Sequence, residues 1–200
     1  MRRPLIPAAL LLFAVGSVAC GRDDVDPVRT HPAARAERPA DANGASAQAD
    51  ARAGGCRARP PPAEVALAQA LVDRVNRVRA AGADCGRTGR FAASAPLLQS
   101  PELRCMAELQ SADMAERGFF SHVNPDGHDV QRRAAAIGFR RAVGENLAWG
   151  QTSPDHVVVA WLRSPDHCKT MLRPDYALTG AGYRRSAAGR TLWVQVSAPR

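Results

Sequence analysis

Three segments of the chain share a Ser-Pro-acid sequence, and each stands directly before a run of residues with helical periodicity. They are Ser100-Pro101-Glu102, Ser153-Pro154-Asp155 and Ser164-Pro165-Asp166. Serine is a preferred N-cap residue, proline fits the first helical position, and an acid in the first turn faces the positive end of the helix dipole. The repeated motif therefore predicts three helix starts in the second half of the chain.

Two further helices follow from apolar periodicity and glycine stops. Residues 63–81 carry apolar side chains at helical spacing and are followed by Gly82, which is the usual place for a terminating glycine. A shorter helix is expected over residues 129–137, where Gly138 ends it.

Strands are expected late in the chain. Residues 178–183 and 191–196 flank an Ala187-Ala188-Gly189 turn and predict an antiparallel hairpin. A third strand is expected near residues 141–148. Helices on the faces of such a small antiparallel sheet would bury a single core, which makes the predicted fold class α+β.

The first twenty residues are typical of an export signal. Met1-Arg2-Arg3 is basic, and the apolar stretch over residues 5–15 is too short to cross a bilayer. Cys20 after Ala19 resembles a bacterial lipobox, although Ser17 replaces the preferred leucine, and the same small residues also suit ordinary signal peptidase. The protein is therefore expected outside the cytoplasm, as an envelope lipoprotein anchored through diacylated Cys20 or as a secreted protein. An uncleaved, membrane-anchored signal is the third alternative.

Residues 21–62 have no periodic apolar face and predict a disordered tether, which leaves residues 63–200 as the folded domain. The formal net charge is +8, from 26 arginines and one lysine against 19 acids. These basic residues are spread along the chain, whereas a nucleic-acid interface needs them concentrated on one face. We therefore expect no nucleic-acid partner.

The exported context favours disulfides. With Cys20 set aside for the signal, Cys56, Cys85, Cys105 and Cys168 remain, and four cysteines permit three connectivities. The sequence has no Cys-x-x-Cys spacing, so neither a thioredoxin-like redox site nor a zinc knuckle is indicated.

Three segments place a titratable group beside a turn or a helix cap. They contain His122 in Phe-Ser-His, Glu145 in Gly-Glu-Asn, and His167 in Ser-Pro-Asp-His-Cys. Each signal alone is weak, because a single histidine after a helix is usually structural and a single glutamate can cap a backbone. His128 and His156 are expected to be exposed residues at helix ends.

In this order and spacing, the three segments resemble the CAP superfamily, the SCP-like domain of cysteine-rich secretory, antigen 5 and plant pathogenesis-related proteins, and especially its short bacterial branch. The resemblance runs from about residue 66 to residue 196. It implies a three-layer α-β-α sandwich with a small, mainly antiparallel sheet. It also implies a central cleft faced by two histidines and two acids, of which His122, His167 and Glu145 match.

The fourth cleft residue does not carry over from the family. Where relatives have the second acid, this chain has Gln131-Arg132-Arg133, and the nearest acid is Asp129. If Arg132 points inward, metal affinity should fall sharply, and if it points to solvent little should change.

The resemblance also orders the cysteines. It implies a Cys85–Cys168 disulfide, which leaves Cys56–Cys105 as a second bridge or Cys105 as a small buried thiol.

The resemblance leaves two main hypotheses for the function, and a purely structural role at the cell surface is a third. The favoured one is a non-enzymatic binding module whose cleft takes a lipid, a peptide or another envelope component, with no cofactor required. The alternative is a hydrolase in which His122 and His167 bind zinc and Glu145 acts on the metal-bound water. An acyl-enzyme mechanism lacks its nucleophile, because the sequence pairs no serine or cysteine with either histidine.

Overall fold

The structure, a computed structural model, describes residues 60–200. The expected signal peptide, the lipidation site Cys20 and the tether as far as residue 59 lie outside that range. Within it, no helix is long and apolar enough to span a membrane.

The helices are α1 Pro62–Ala81, α2 Pro101–Arg117, α3 Val130–Ala136, α4 Pro154–Arg163 and α5 Pro165–Leu172, with a short 3-10 helix at Gly86–Thr88. The strands are β1 Ala83–Asp84, β2 Arg90–Phe91, β3 Leu98–Gln99, β4 Gly144–Trp149, β5 Leu178–Arg185 and β6 Thr191–Ala198. The five helices and three longer strands lie where the sequence predicts them, within a few residues at each end. The short strands β1, β2 and β3, two residues each, were not predicted.

Two of the three Ser-Pro-acid motifs cap their helices as predicted. The hydroxyl of Ser100 accepts a hydrogen bond from the amide of Leu103, and that of Ser153 accepts one from the amide of His156, both at 3.3 Å. Ser164 also precedes a helix, α5, but its side chain makes no cap bond. Its hydroxyl is engaged elsewhere, at the candidate site.

The main sheet has the strand order β3-β5-β6-β4. β5 and β6 form the predicted antiparallel hairpin, β4 pairs antiparallel with β6, and β3 pairs parallel with β5. Strand β4 therefore lies at the edge of the sheet. This position matters for function, because β4 carries Glu145 in its second position.

Helices cover both faces of the sheet. Along β6, Leu192, Val194 and Val196 pack into a cluster with residues of α2 and α3, whereas Trp193 packs on the opposite face with residues of α1, α4 and α5. All four side chains are at least 97% buried. The three-layer α-β-α sandwich is thus confirmed.

A disulfide joins Cys85, which follows β1, to Cys168 in α5, as expected. Both cysteines are buried. Cys105 in α2 is also disulfide-bonded, so it is not a free thiol. The Cys56–Cys105 pairing stays a prediction.

Replacing Cys85 and Cys168 together by alanine should lower the free energy of unfolding by about 4 kcal/mol, because the bridge closes a long loop in the unfolded chain. The two cysteines are 83 residues apart. Urea denaturation of the variant and of the oxidised wild type measures the difference. A loss below about 1 kcal/mol would show that the bridge contributes little to stability.

Candidate functional site

His122 and Glu145 meet beside the edge strand. His122 lies in the loop after α2, and its Nδ1 is 2.8 Å from Oε1 of Glu145. A carboxylate only accepts hydrogen bonds, so Nδ1 must carry the hydrogen. The side chain of Glu145 is 1% exposed and that of His122 is 53% exposed, so the glutamate forms the floor of the site and the histidine faces solvent.

Arg133 of α3 completes the floor. Its guanidinium donates to Oε2 of Glu145 at 2.5 Å and to the carbonyl oxygens of His122 and His128 at 2.8 and 2.9 Å. Its side chain is only 7% exposed. The prediction of an exposed His128 was wrong, since this residue is half-buried, whereas His156 is exposed as expected.

Of the three residues that stand where relatives have the second acid, Arg133 is the one that bonds Glu145. Arg132 is exposed, so the arginine that enters the site is Arg133. Asp129 does not supply the missing acid, because its carboxylate accepts the backbone amide of Arg132 at 2.7 Å and caps α3. The site therefore contains a fixed cation, Arg133, bonded to Glu145.

His167 approaches from the other side of β4. It lies in α5, and the side-chain amide of Asn146, next to Glu145, donates to its carbonyl oxygen at 3.0 Å. Burial lowers the pKa of His167, and the charge of His122 lowers it further, while Asp166 opposes the shift. Because Glu145 and Asn146 are adjacent in β4, one strand contacts both His122 and the backbone of His167.

We expected neither histidine to be paired with a serine, but the side chain of His167 has a hydroxyl partner. Its Nδ1 lies 2.8 Å from Oγ of Ser164. A Ser-His-acid triad needs the hydroxyl and the carboxylate on the same imidazole. Here the hydroxyl is on His167 and the carboxylate of Glu145 is on His122, so this contact does not assemble a triad.

The lowered pKa of His167 should make the domain less stable in mild acid. The unfolded chain takes up a proton at this residue at higher pH than the folded chain does, so stability falls as pH decreases below about 6.5. Urea denaturation between pH 7.5 and 5 should therefore show that the free energy of unfolding falls less steeply with pH in His167→Gln than in wild type. If it falls equally steeply in both proteins, the pKa of His167 is not lowered in the folded state.

The side chains present do not fit a resident zinc ion. Catalytic zinc usually has three protein ligands, and among residues 60–200 no three His, Cys, Asp or Glu side chains are grouped to hold a metal. Both carboxylate oxygens of Glu145 are already bonded, to His122 and to Arg133. His122 and His167 alone would leave the ion with two protein ligands beside a guanidinium.

Three exposed apolar residues lie in the loop that carries His122 and at the end of β4. We call Phe120, Val123 and Trp149 the aromatic patch. Phe120 stacks on Trp149 with ring centroids 5.6 Å apart, and the guanidinium of Arg190 lies 4.8 Å from the Trp149 ring centroid. The three patch residues are 42–48% exposed. The patch was not predicted, although Phe120 and Val123 flank His122 in the sequence.

Known proteins resemble parts of this chain. Uncharacterized protein YkwD of Bacillus subtilis (strain 168) is 33% identical over 101 residues, which is 50% of this chain and 38% of YkwD. Uncharacterized membrane protein YlbC of the same organism is 35% identical over 77 residues, 38% of this chain and 22% of YlbC. The matched region is thus well under two thirds of either relative.

Two solved structures share the fold. An outer surface protein from Borrelia burgdorferi has a TM-score of 0.57 at 19% identity, over 66% of this chain and 91% of that protein. An extracellular protein containing an SCP domain from Bacillus anthracis str. Ames has a TM-score of 0.58 at 20% identity, over 71% of this chain and 45% of that one. At these identities the likeness concerns the fold alone.

The sequence profile of the cysteine-rich secretory protein family matches residues 72–197. The match covers more than half of the chain and includes His122, Glu145 and His167. The chain therefore belongs to the cysteine-rich secretory protein (CAP) family.

Proposed function

We propose that this CAP domain is a non-enzymatic, extracytoplasmic binding module that receives an amphipathic envelope ligand, a lipid, beside His122. The observation that carries the proposal is the aromatic patch, in which the exposed rings of Phe120 and Trp149 stack and the exposed Val123 follows His122 in the chain. Contiguous apolar surface rimmed by polar groups is characteristic of binding sites.

The patch offers both parts of an amphipathic ligand a partner. Phe120 and Trp149 are large aromatic side chains, which gain most from being covered by an apolar group. Arg190 beside Trp149 supplies a fixed positive charge for an anionic headgroup. The apolar part of the ligand would lie on the rings, and its polar part would face Arg190 and His122.

A metal-assisted hydrolase has less support. Such an enzyme needs a carboxylate that is free to orient or deprotonate a metal-bound water. Each carboxylate oxygen of Glu145 already accepts a hydrogen bond, Oε1 from His122 and Oε2 from Arg133.

Tryptophan fluorescence can test lipid binding at the patch directly. Of the chain's three tryptophans, Trp161 and Trp193 are at most 1% exposed, whereas Trp149 is 45% exposed. Vesicles of phosphatidylglycerol with brominated acyl chains quench tryptophans that they contact. We expect these vesicles to quench the Trp149 emission of the full chain, and unbrominated vesicles to leave it unquenched.

Two valines provide the matched control. Val123 belongs to the patch, whereas Val159 in α4 is 38% exposed and does not belong to it. Val123→Ser should weaken vesicle binding several-fold, and Val159→Ser should leave it unchanged. No quenching by brominated vesicles, or equal effects of the two substitutions, would overturn the proposal.

The export signal suggests how the module is held in place. We infer that diacylated Cys20 anchors the chain to a membrane and that the residues between Cys20 and α1 act as the tether. Mass spectrometry of the mature N-terminus tests this directly. A lipid on Cys20 is expected, and an unmodified Cys20 or cleavage beyond it would overturn the anchor.

A further inference from the structure

We propose that Arg133 is an internal cation that takes the place of a bound metal beside His122 and Glu145 and makes this site independent of divalent ions. The role of Arg133 does not depend on which ligand the aromatic patch receives, so the two proposals can fail separately.

The contacts of Arg133 are those expected of a structural cation. Its guanidinium holds the carboxylate of Glu145 and the carbonyl oxygens of His122 and His128. It thereby joins the loop after α2 to the edge strand β4, as an ion bound by oxygen ligands would. The Arg133 and Glu145 side chains are 7% and 1% exposed, so little water screens their attraction.

The same charge opposes metal binding. Arginine remains protonated in proteins, so its charge cannot be removed to admit an ion. A divalent ion on His122 would be repelled by the guanidinium. The single negative charge of Glu145 is already balanced by this guanidinium, so the pair leaves no net negative charge to attract the ion.

Arg132 provides a matched control, because it is the adjacent residue, has the same charge and faces solvent. The experiment titrates zinc chloride into untagged full-length protein by isothermal calorimetry. Wild type and Arg132→Glu should bind zinc more weakly than about 0.1 mM. Arg133→Glu should bind it at least about tenfold more tightly, and adding His122→Ala should abolish that gain.

Two results would overturn the inference. The first is wild-type zinc binding tighter than about 0.1 mM that His122→Ala abolishes. The second is a folded Arg133→Glu variant, checked by circular dichroism, that binds zinc no more tightly than Arg132→Glu. If Arg133→Glu does not fold, Arg133→Gln replaces it, since glutamine removes only the positive charge. If Arg133→Gln binds zinc more tightly than wild type, the inference is supported, and if it binds zinc as wild type does, the inference is overturned.

Discussion

Replacing Glu145 by alanine is expected to lower the free energy of unfolding by about 3–5 kcal/mol, because it leaves the buried guanidinium of Arg133 without a carboxylate. The two groups are 2.5 Å apart, and both side chains are more than 90% buried. Two carbonyl oxygens would still accept from Arg133, but they carry no net charge to replace the lost one. Urea denaturation at pH 7 measures the loss.

The double variant Glu145→Leu, Arg133→Met separates the two explanations for such a loss. If an uncompensated charge causes it, removing both charges should restore stability to within about 2 kcal/mol of wild type. If lost packing causes it, the double variant should be at least as unstable as the single one. Arg132→Ala, which changes an exposed arginine, should stay within about 0.5 kcal/mol.

The longer elements could be predicted from the sequence because their signals are local. A serine two residues before an acid, or a glycine after an apolar stripe, acts within one helical turn. The short strands gave no such signal. β3 is two residues long, and it exists because Leu98 and Gln99 pair with Leu178 and Thr179, some 80 residues away. No periodicity can develop over two residues.

The candidate site was predictable in part. The family resemblance implied that His122 and Glu145 face one cleft, and their side chains are 2.8 Å apart. It could not assign the position where this chain departs from the pattern. Helical periodicity could have done so. Val130, Ala134 and Ile137 contribute to the core, and in a helix with this spacing Arg133 shares their buried face. A charged side chain is not expected to be buried. Burial of Arg133 is tolerated because Glu145, in strand β4, supplies a buried carboxylate that pairs with its guanidinium.

A polar contact within one helical turn also escaped prediction from the sequence. Ser164 looks like an N-cap by every local criterion, yet its hydroxyl bonds His167. A serine has a single hydroxyl group, and that of Ser164 bonds the imidazole of His167 instead of a backbone amide of the first helical turn. Local motifs therefore predicted the start of α5 correctly and the use of its serine incorrectly.

The Gly-Ala-Gly segment of β5 shows how closely the helical layer approaches the sheet. Gly182 faces the backbone of α2, and a Cβ there would lie 2.3 Å from the carbonyl oxygen of Ala107. At Gly180 a Cβ would lie 2.0 Å from the amide nitrogen of Arg104. Backbone cannot rotate away as a side chain can, so any larger residue must push α2 off the strand.

Gly182→Ala should therefore lower the free energy of unfolding by at least about 3 kcal/mol, at the upper end of overpacking effects. Gly144→Ala is the matched comparison, because its Cβ would meet the hydroxyl end of Tyr176 at 2.4 Å. A side-chain end can move, so this variant should lose only about 1–2 kcal/mol. Urea denaturation ranks the two. A Gly182→Ala variant as stable as Gly144→Ala would show that α2 can shift on the sheet at little cost. The spacing between these layers would then be set by something other than glycine.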